Sequence, residues 1–411
     1  MEITLAQFVK SLAESGLMIA DEVEAFIDRL PSAQRPKDGA ALAQELFKQN
    51  RLTNYQAEAV LQGATRGLVL GDYVILCPIG RGGMGQVYKA RHRVMERVVA
   101  LKTLPAVATE IEEAVDRFHL EVVLAARLCH PNIVAAYDAG ESCGVHYLVM
   151  EYVDGGNLSS YVKKYERLPV ASALDCVLQA ARGLECAHAE NIIHHDVKPS
   201  NLLVDKHGTV KVLDMGLARL KKTITSANTP GPQLRTTTRQ IMGSIDFMPP
   251  EQVENFEEAD ERSDVYSLGC TLFFLLNGRA MYGGRTTAER LFAHREARIP
   301  SLLDKRPDVP KHLDVVFQRM VAKQSENRHG SMTEVISDLE KFDTTKLAPP
   351  IGMSDLVDAP PSCDLAETRL VAMTEDTPAD DFALPDFSLK PEVTSSRKHS
   401  KSLHPHVSSD R

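Results

Sequence analysis

Residues 194–201 form a polar run that contains the residue types required for phosphoryl transfer to an alcohol. Asp196 is suited to orient an attacking hydroxyl and to take up its proton. Lys198 is suited to hold the transferred phosphate, and the carboxamide of Asn201 is a ligand for a metal ion. Apolar residues flank the run on both sides, so it is predicted to be a loop between two short buried strands.

A glycine-rich segment, residues 80–87, follows an alternating apolar pattern. Glycines allow the backbone to approach phosphates closely, because they carry no Cβ atom. In the dinucleotide-binding fold of many oxidoreductases such a segment opens a helix. Here residues 87–90 alternate like a strand instead, so that class is excluded. A strand, a glycine turn and a second strand are typical of a hairpin that covers the phosphates of ATP.

A lysine and a glutamate on neighbouring predicted elements are expected to form a buried ion pair. Residues 98–102 alternate as a strand that places Lys102 on the same face as Ala100. A helix is predicted over roughly 110–128, and Glu121 falls within its inward apolar stripe. Because a buried carboxylate is unfavourable without a cationic partner, Lys102 is the expected partner of Glu121.

A further acidic residue follows a strand predicted at 210–213. An aspartate in such a turn is by default a turn former. Asp214, however, comes thirteen residues after Asn201 and precedes Met215 and Gly216. Carboxylate and amide oxygens are the ligands that a hard divalent ion prefers, so Asp214 and Asn201 are predicted to bind one together.

These motifs occur in the order found in eukaryotic-like (Hanks-type) Ser/Thr protein kinases of bacteria, which residues 73–342 resemble. The catalytic run resembles the kinase motif H-R-D-x-K-P-x-N, with His195 in the position of the arginine. The segment that begins at Asp214 resembles D-F-G, and residues 248–251 resemble A-P-E. The resemblance covers about two thirds of the chain and rests on an ordered set of motifs.

The resemblance implies an α+β, bilobal protein kinase fold. A small β-rich N-lobe with one helix, helix C, would lie on a larger helical C-lobe, with ATP and Mg²⁺ between the lobes. The catalytic roles that it implies fall on Asp196, Lys198, Lys102 and Glu121, and Mg²⁺ binding falls on Asn201 and Asp214. The positions that it implies for ATP binding are Gly80, Gly82, Gly85, Val87, Ala100, Lys102, Met150, Glu151 and Val153.

The activity implied by the resemblance is transfer of the γ-phosphate of ATP to Ser or Thr hydroxyls of protein substrates. Residues 217–242 correspond to the activation loop of such kinases, in which Thr236, Thr237 and Thr238 are candidates for phosphorylation by a second copy of the chain. The alternative is a pseudokinase scaffold that binds nucleotide and partners without transfer. Because the charged and amide groups named above are all present, the active kinase is favoured.

Three further expectations come from the resemblance. Glu251 should pair with Arg328, and Asp264 should hold the backbone of the catalytic loop. In related kinases the arginine that His195 replaces engages a phosphorylated activation loop. We therefore hypothesise that loop phosphorylation matters less in this chain, or acts through a protonated His195.

The segment ahead of the kinase-like region, residues 1–66, is predicted to form a small helical module. Asp21 with Glu24 and Thr53 with Gln56 have the spacing of helix-capping signals. No catalytic constellation occurs in this segment. The sequence leaves open whether the module docks a partner, dimerises or regulates the catalytic domain.

Composition limits the other classes of protein to which this chain could belong. The net charge of −9 argues against general affinity for nucleic acid or anionic membranes. The most apolar stretch, 265–276, is shorter than the ~20 residues needed to span a bilayer and is expected to be a buried helix. The seven cysteines show no C-x-x-C spacing, which fits a reducing cytoplasm. Residues 343–411 are repeatedly interrupted by prolines, and a disordered tail is expected there.

Overall fold

The computed structural model describes residues 3–82, 85–104, 112–214, 219–220, 245–254 and 259–342. Within these ranges the chain forms a helical N-terminal module, a β-rich lobe and a larger helical lobe. The expected bilobal α+β fold with an all-α segment in front is therefore confirmed. The threonine cluster at 236–238 and the tail predicted at 343–411 lie outside the described residues. Each described helix is too short or too polar to cross a lipid bilayer.

The N-terminal module has its own apolar core, formed by the inward faces of four short helices. Phe8, Leu42, Leu46 and Val60 are fully buried in that core. Apolar residues at every third or fourth position give each helix one face that the others cover. The helices are α1 (Leu5–Glu14), α2 (Ala20–Arg29), α3 (Gly39–Lys48) and α4 (Asn54–Leu61).

Capping signals explain where these helices begin, with one exception. Thr53 and Gln56 form the predicted capping box of α4, in which the Thr53 hydroxyl accepts from the Gln56 N–H and Gln56 Oε1 accepts from the Thr53 N–H. The prediction of a cap at Asp21 is wrong, because α2 begins at Ala20 and the cap position is Ile19, two residues before Asp21. There the Glu22 carboxylate accepts the Ile19 N–H, and Ile19 provides no side-chain cap for the first turn.

The N-lobe is a six-stranded antiparallel sheet with a helix against one face. Its elements are β1 (Val69–Leu70), β2 (Tyr73–Gly82), β3 (Gly85–His92), β4 (Val98–Thr103), α5 (Glu112–Ala126), β5 (Ala136–Ser142) and β6 (Val145–Glu151). The strand order is β1-β2-β3-β4-β6-β5. One face of the sheet buries Tyr88, Leu101 and Val149, and the other covers Phe118 of α5. Helix α5 ends at Ala126, slightly before the predicted end.

The β2–β3 hairpin contains the glycine-rich segment. Two register irregularities interrupt its ladder of hydrogen bonds, the first of them between Ile75 and Cys77. A bulge of this kind places an extra residue, here Leu76, in one strand and increases the local twist. The pairing between β3 and β2 is therefore irregular along the hairpin.

The C-lobe is organised around one long buried helix, α9. Its elements are β7 (Gly155–Asn157), α6 (Leu158–Tyr165), α7 (Val170–Ala189), β8 (Ile192–Ile193), β9 (Leu202–Asp205), β10 (Val210–Val212), β11 (Arg219–Leu220), α8 (Pro250–Glu254), α9 (Glu261–Asn277), α10 (Thr287–Glu296), α11 (Lys311–Met320) and α12 (Met332–Leu339). The apolar stretch 265–276 lies within α9 and is almost entirely buried, as predicted. Strands β7, β9 and β10 form a small sheet, and β8 pairs with β11.

Candidate active site

A buried aspartate in the first turn of α9 fixes the backbone of the catalytic loop. The side chain of Asp264 is 0% exposed, and its two oxygens accept the N–H groups of His194 and His195, each at 2.9 Å. His188 Nε2 lies 2.7 Å from the same carboxylate. Burial alone raises the pKa of Asp264, but the hydrogen bond and charge of His188 outweigh it and lower the pKa to about 2. The predicted supporting contact of Asp264 is confirmed.

Two polar side chains of the catalytic loop bind the Asp196 carboxylate. Lys198 Nζ donates to Asp196 Oδ2 at 2.7 Å, and Asn201 Nδ2 donates to the same oxygen at 3.0 Å. Asn201 Nδ2 also donates to the Asp196 carbonyl at 2.9 Å, which fixes the turn of the loop. These bonds hold the carboxylate in one orientation. The structure thus brings together the three loop residues that the sequence singled out.

His194 connects the catalytic loop to the segment that carries Asp214. Its Nδ1 atom accepts the Asp196 N–H at 3.2 Å, so the proton is assigned to Nε2, which donates to the Leu213 carbonyl at 3.0 Å. The Leu213 N–H in turn donates to the Asn201 carbonyl at 2.9 Å. The two predicted metal ligands, Asn201 and Asp214, are therefore connected through the backbone of a single intervening residue.

Lys102 lies between two carboxylates, one from each lobe. Its Nζ atom is 2.6 Å from Glu121 Oε1 and 2.7 Å from Asp214 Oδ1. The pair with Glu121 is the one predicted from the sequence, and both of its side chains are buried. Burial raises the pKa of Glu121, the positive charge of Lys102 opposes this shift, and the negative charge of Asp214 adds to it. Burial alone also raises the pKa of Asp214, but the charge of Lys102 lowers it well below its usual range.

Asn201 and Asp214 offer the oxygen donors that Mg²⁺ requires. The Asp214 side chain is 39% exposed although it contacts Lys102, so part of this partly buried side chain is accessible to a ligand. One carboxylate and one carboxamide on connected segments suit a hard divalent ion that takes phosphate and water oxygens as its remaining ligands. The residues present therefore fit Mg²⁺.

Four of the residues predicted to bind ATP have side chains in or against one apolar cluster. Ala100 and Met150 are buried in it, and Val87 and Val153 pack against it. Leu203 belongs to the same cluster but was not singled out from the sequence. Its two neighbours in β9 are buried in the C-lobe core, and strand side chains alternate, so Leu203 points to the opposite side. That alternation, directly after the catalytic loop, is the signal that could have identified it.

Glu151 ends β6 and anchors the segment that links the two lobes. Its N–H donates to the Ala135 carbonyl at 2.8 Å, and its carboxylate lies 3.0 Å from Lys211 Nζ. Lys211 also donates to the Pro131 carbonyl at 2.9 Å. These contacts, which the sequence analysis did not anticipate, hold the start of the linking segment. Glu151 and Val153, two of the predicted ATP-binding positions, belong to this segment.

The remaining predicted ATP-binding positions lie at the glycine end of the β2–β3 hairpin. Gly80 is paired with Val87, and Gly82 with Gly85. A Cβ atom built at Gly80 would meet no other described atom within 4 Å, so space remains beside the backbone. Room of this kind is what close approach to a phosphate requires.

The predicted bridge between Glu251 and Arg328 is confirmed. Arg328 Nη1 and Nη2 donate to the two Glu251 oxygens, each at 2.7 Å, and the Arg328 side chain is 0% exposed. The Ser263 hydroxyl donates to the same carboxylate. Burial alone raises the pKa of Glu251, but the hydrogen bonds and charge of Arg328 lower it below its ordinary value. The bridge ties α8 to the end of the C-lobe and takes no part in the chemistry.

His195 packs against α8. Its side chain is buried, and Gln252 Nε2 lies 2.9 Å from His195 Nδ1. Gln252 is itself buried and was not singled out from the sequence. The backbone of His195 has a φ of 64°, a left-handed conformation that residues other than glycine seldom adopt. The hypothesis that phosphorylation of the activation loop matters less in this chain, or acts through a protonated His195, stays a prediction. Gln252 is the neighbour of His195 that a test of it has to take into account.

Comparisons with known proteins agree with this geometry. A family model described as protein kinase domain matches residues 73–339. The serine/threonine-protein kinase PrkC of Bacillus subtilis is 35% identical over 280 residues, which cover 68% of this chain and 42% of PrkC. The serine/threonine-protein kinase PknB of Mycobacterium leprae is 36% identical over 293 residues, which cover 70% of this chain and 45% of PknB.

A solved structure gives the same result at the level of the fold. The crystal structure of the Mycobacterium tuberculosis PknI kinase domain matches with a TM-score of 0.51 and 27% identity, covering 67% of this chain and 97% of that one. This chain spans less than half the length of PrkC and of PknB. The family match begins with β2 and ends with α12, so it contains every site residue and both lobes except strand β1, while the N-terminal module lies outside it.

Proposed function

We propose that this chain, which belongs to the protein kinase family, transfers the γ-phosphate of ATP to Ser or Thr hydroxyls of protein substrates. The observation that carries the proposal is the hydrogen-bonded connection from Asp196 through Asn201 to the segment bearing Asp214. It brings a base and a pair of metal ligands into one site, which Lys102 reaches from the N-lobe. Similarity to relatives described as serine/threonine-protein kinases supports this class of acceptor.

The catalytic loop would carry the proton and steady the phosphate. Asp196 would accept a hydrogen bond from the acceptor hydroxyl, orient its oxygen and take up the proton as the new bond forms. Lys198 lies 2.7 Å from Asp196 and would donate to the transferred phosphate. The hydroxyl oxygen becomes bonded to the γ-phosphorus while the bond to the β-phosphate oxygen breaks, so ADP leaves and Asp196 holds the proton.

The remaining charged groups would position the nucleotide. Lys102, oriented by Glu121, would hold the α- and β-phosphates. The low pKa of Asp214 keeps its carboxylate ionised at neutral pH and available to a cation. Mg²⁺ held by Asn201 and Asp214 would neutralise charge on the β- and γ-phosphates. Most of the catalytic effect would then come from positioning and charge rather than from covalent chemistry.

The proposal assigns residues 73–342 to the catalytic domain, 1–66 to a helical module and 343–411 to a tail. It includes autophosphorylation in trans within the activation loop, at residues 236–238, which requires two copies of the chain to meet. A phosphate added there would add about two negative charges to the activation loop.

The test is transfer of labelled γ-phosphate from Mg-ATP to the chain itself and to a generic basic protein. Asp196→Asn is expected to lower transfer about 100-fold or more, because the variant cannot accept the proton. Asp304→Asn, a change at an exposed aspartate of the C-lobe, is the matched control and should transfer normally. ATP binding without transfer that depends on Asp196 would instead support the pseudokinase scaffold.

A further inference from the structure

The N-terminal module is bonded directly to the strand that leads into the glycine hairpin. The Thr53 hydroxyl donates to the Leu76 carbonyl at 2.7 Å, and Gln56 Nε2 donates to the Ile75 carbonyl at 2.6 Å. Thr53 and Gln56 are 6% and 3% exposed. The two residues that cap α4 therefore also bond two successive carbonyls of β2.

These carbonyls lie at the bulge of the β2–β3 ladder. The register passes from Ile75 directly to Cys77, so Leu76 has no partner on the described part of β3. On the other side, β1 pairs with β2 only as far as Val74, and the Ile75 N–H donates to the Leu68 carbonyl at 2.9 Å. The cap of α4 continues the edge that β1 begins, because it donates to the Ile75 and Leu76 carbonyls beyond the last residue of β2 that pairs with β1.

Apolar packing strengthens the same junction. Tyr55, between the two capping residues, packs against the N-lobe core, with its ring 6.5 Å from that of Tyr88 in β3. Tyr88 is fully buried and adjoins Val87 of the predicted ATP site. A second anchor lies further along the hairpin, where the Arg93 guanidinium donates to the Gly16 carbonyl. The module thus contacts both strands of the hairpin from the side facing away from the cleft.

We propose that Gln56 and Thr53 are positioning residues for ATP, which act by holding the base of the glycine hairpin. The inference rests on the proposed kinase activity, since it concerns how the hairpin is kept over the phosphates. The hairpin has an irregular ladder and a glycine tip, so its own strands fix its angle weakly. Its base, at Ile75 and Leu76, takes that angle from the bonds to α4. The catalytic loop belongs to the other lobe and is unaffected by these bonds.

The chain contains a matched control for this contact. Helix α1 begins with a capping box of the same residue types, Thr4 and Gln7, in the same geometry. That box is exposed, and within the described ranges its bonds stay inside its own turn. Gln56→Leu and Gln7→Leu therefore remove the same cap interaction, while only the first also removes a bond to β2.

The experiment measures the KM for ATP and kcat of the full chain in the wild type, Gln56→Leu, Thr53→Val and Gln7→Leu. Losing one buried hydrogen bond is expected to raise the KM for ATP about five-fold in the first two variants, with kcat within about twofold of wild type. Gln7→Leu should leave both constants within about twofold. Hydrogen exchange of backbone amides over 74–82 and 85–90 should be faster in Gln56→Leu than in Gln7→Leu.

The outcomes separate this inference from the proposed function. Wild-type chain that neither transfers phosphate nor binds Mg-ATP would overturn the kinase assignment. Active wild type with equal constants and equal exchange in Gln56→Leu and Gln7→Leu would overturn the positioning role alone. If Gln56→Leu does not fold, Gln56→Glu keeps the acceptor for the Thr53 N–H but loses the donor to Ile75, and Gln7→Glu is its control. Equal KM values in that pair would contradict the inference.

Discussion

Lys102 Nζ lies 2.6 Å from Glu121 Oε1, and this contact fixes helix α5 relative to strand β4. The lysine and the glutamate are 4% and 3% exposed, so neither charge is stabilised by bulk water. The attraction is strong in such surroundings, but removing one partner leaves the other buried and unpaired. The position of α5 and the position of the lysine are therefore set by the same bond.

Replacing Glu121 by Gln should weaken phosphoryl transfer more than it weakens folding. The neutral amide can still accept a hydrogen bond from Lys102, but it no longer attracts the lysine by charge, so the carboxylate of Asp214 would draw Lys102 away from the nucleotide. We expect kcat/KM for ATP to fall about 10- to 100-fold, which corresponds to one lost charge-assisted contact. The measurement is steady-state kinetics beside Asp116→Asn, an exposed acidic position on the same helix. Equal kinetics in the two variants would contradict the role of the ion pair.

Replacing Arg328 by Ala should destabilise the C-lobe strongly. The change leaves the Glu251 carboxylate without its buried partner and removes bonds to the Ala322, Lys323 and Arg262 carbonyls. Breaking a buried pair lowers the free energy of unfolding by about 3–5 kcal/mol. Chemical denaturation of the full chain measures this loss.

The control for that prediction is Arg319→Ala. Arg319 pairs with Glu334 at 2.7 Å, but both side chains are nearly half exposed. A surface pair of this kind contributes about 0–1 kcal/mol. If the two variants lost similar stability, the Glu251 bridge would be no more than a surface contact.

Stability at low pH should depend on Asp264. Its pKa of about 2 lies below the ordinary value of 3.8, so the unfolded chain binds the proton more tightly than the folded chain. The contribution is present above pH 4 and is lost as the pH falls through about 2. From the pKa difference it amounts to about 2 kcal/mol.

The check is the free energy of unfolding between pH 5 and pH 2 in the wild type and in Asp264→Asn. The variant should be less stable at pH 5, and its curve should fall less steeply below pH 4, by about 2 kcal/mol over the range. Asp304→Asn serves as the reference for an exposed aspartate. If the free energy of unfolding fell equally steeply with decreasing pH in Asp264→Asn and in the wild type, the Asp264 carboxylate would not be the cause of the loss of stability at low pH.

Replacing His195 by Arg should make activity depend more on phosphorylation of the activation loop. The arginine has a fixed positive charge that can pair with a phosphate, whereas the histidine is buried beside Gln252. The measurement is transfer before and after phosphatase treatment, with the ratio compared between variant and wild type. An unchanged ratio would count against the hypothesis. The control is Gln252→Leu, which removes the neighbour of His195 without adding charge and should leave the ratio at its wild-type value.

The chemistry of the site could be predicted because the type and the local spacing of each residue limit the role that it can have. Asp196, Lys198 and Asn201 lie within one short loop, where type and spacing already limit what they can do. Glu121 was identified because a charge in an apolar stripe needs a partner, and Lys102 is that partner. In each case a local pattern carried the information.

The contacts that could not be predicted join distant segments through ordinary residue types. Gln252 beside His195, Lys211 beside Glu151 and Gln56 on Ile75 each connect positions 19–60 residues apart. The sequence around a glutamine or lysine in a helix or strand does not indicate which distant residue its side chain will contact. Leu203 lies between the two cases, because it was not predicted but the alternation of side chains in the strand after the catalytic loop would have indicated its place in the apolar cluster.

The family match begins at residue 73, but the folded sheet also includes strand β1 and receives hydrogen bonds from α4. A truncated protein starting at Tyr73 would lack strand β1, the Leu68 carbonyl and the donors from α4. Its first strand would expose an unpaired edge, which favours association with other chains. Production of the catalytic region for crystallography or inhibitor screening should therefore begin ahead of α1, since a start set by family similarity would yield an aggregation-prone protein.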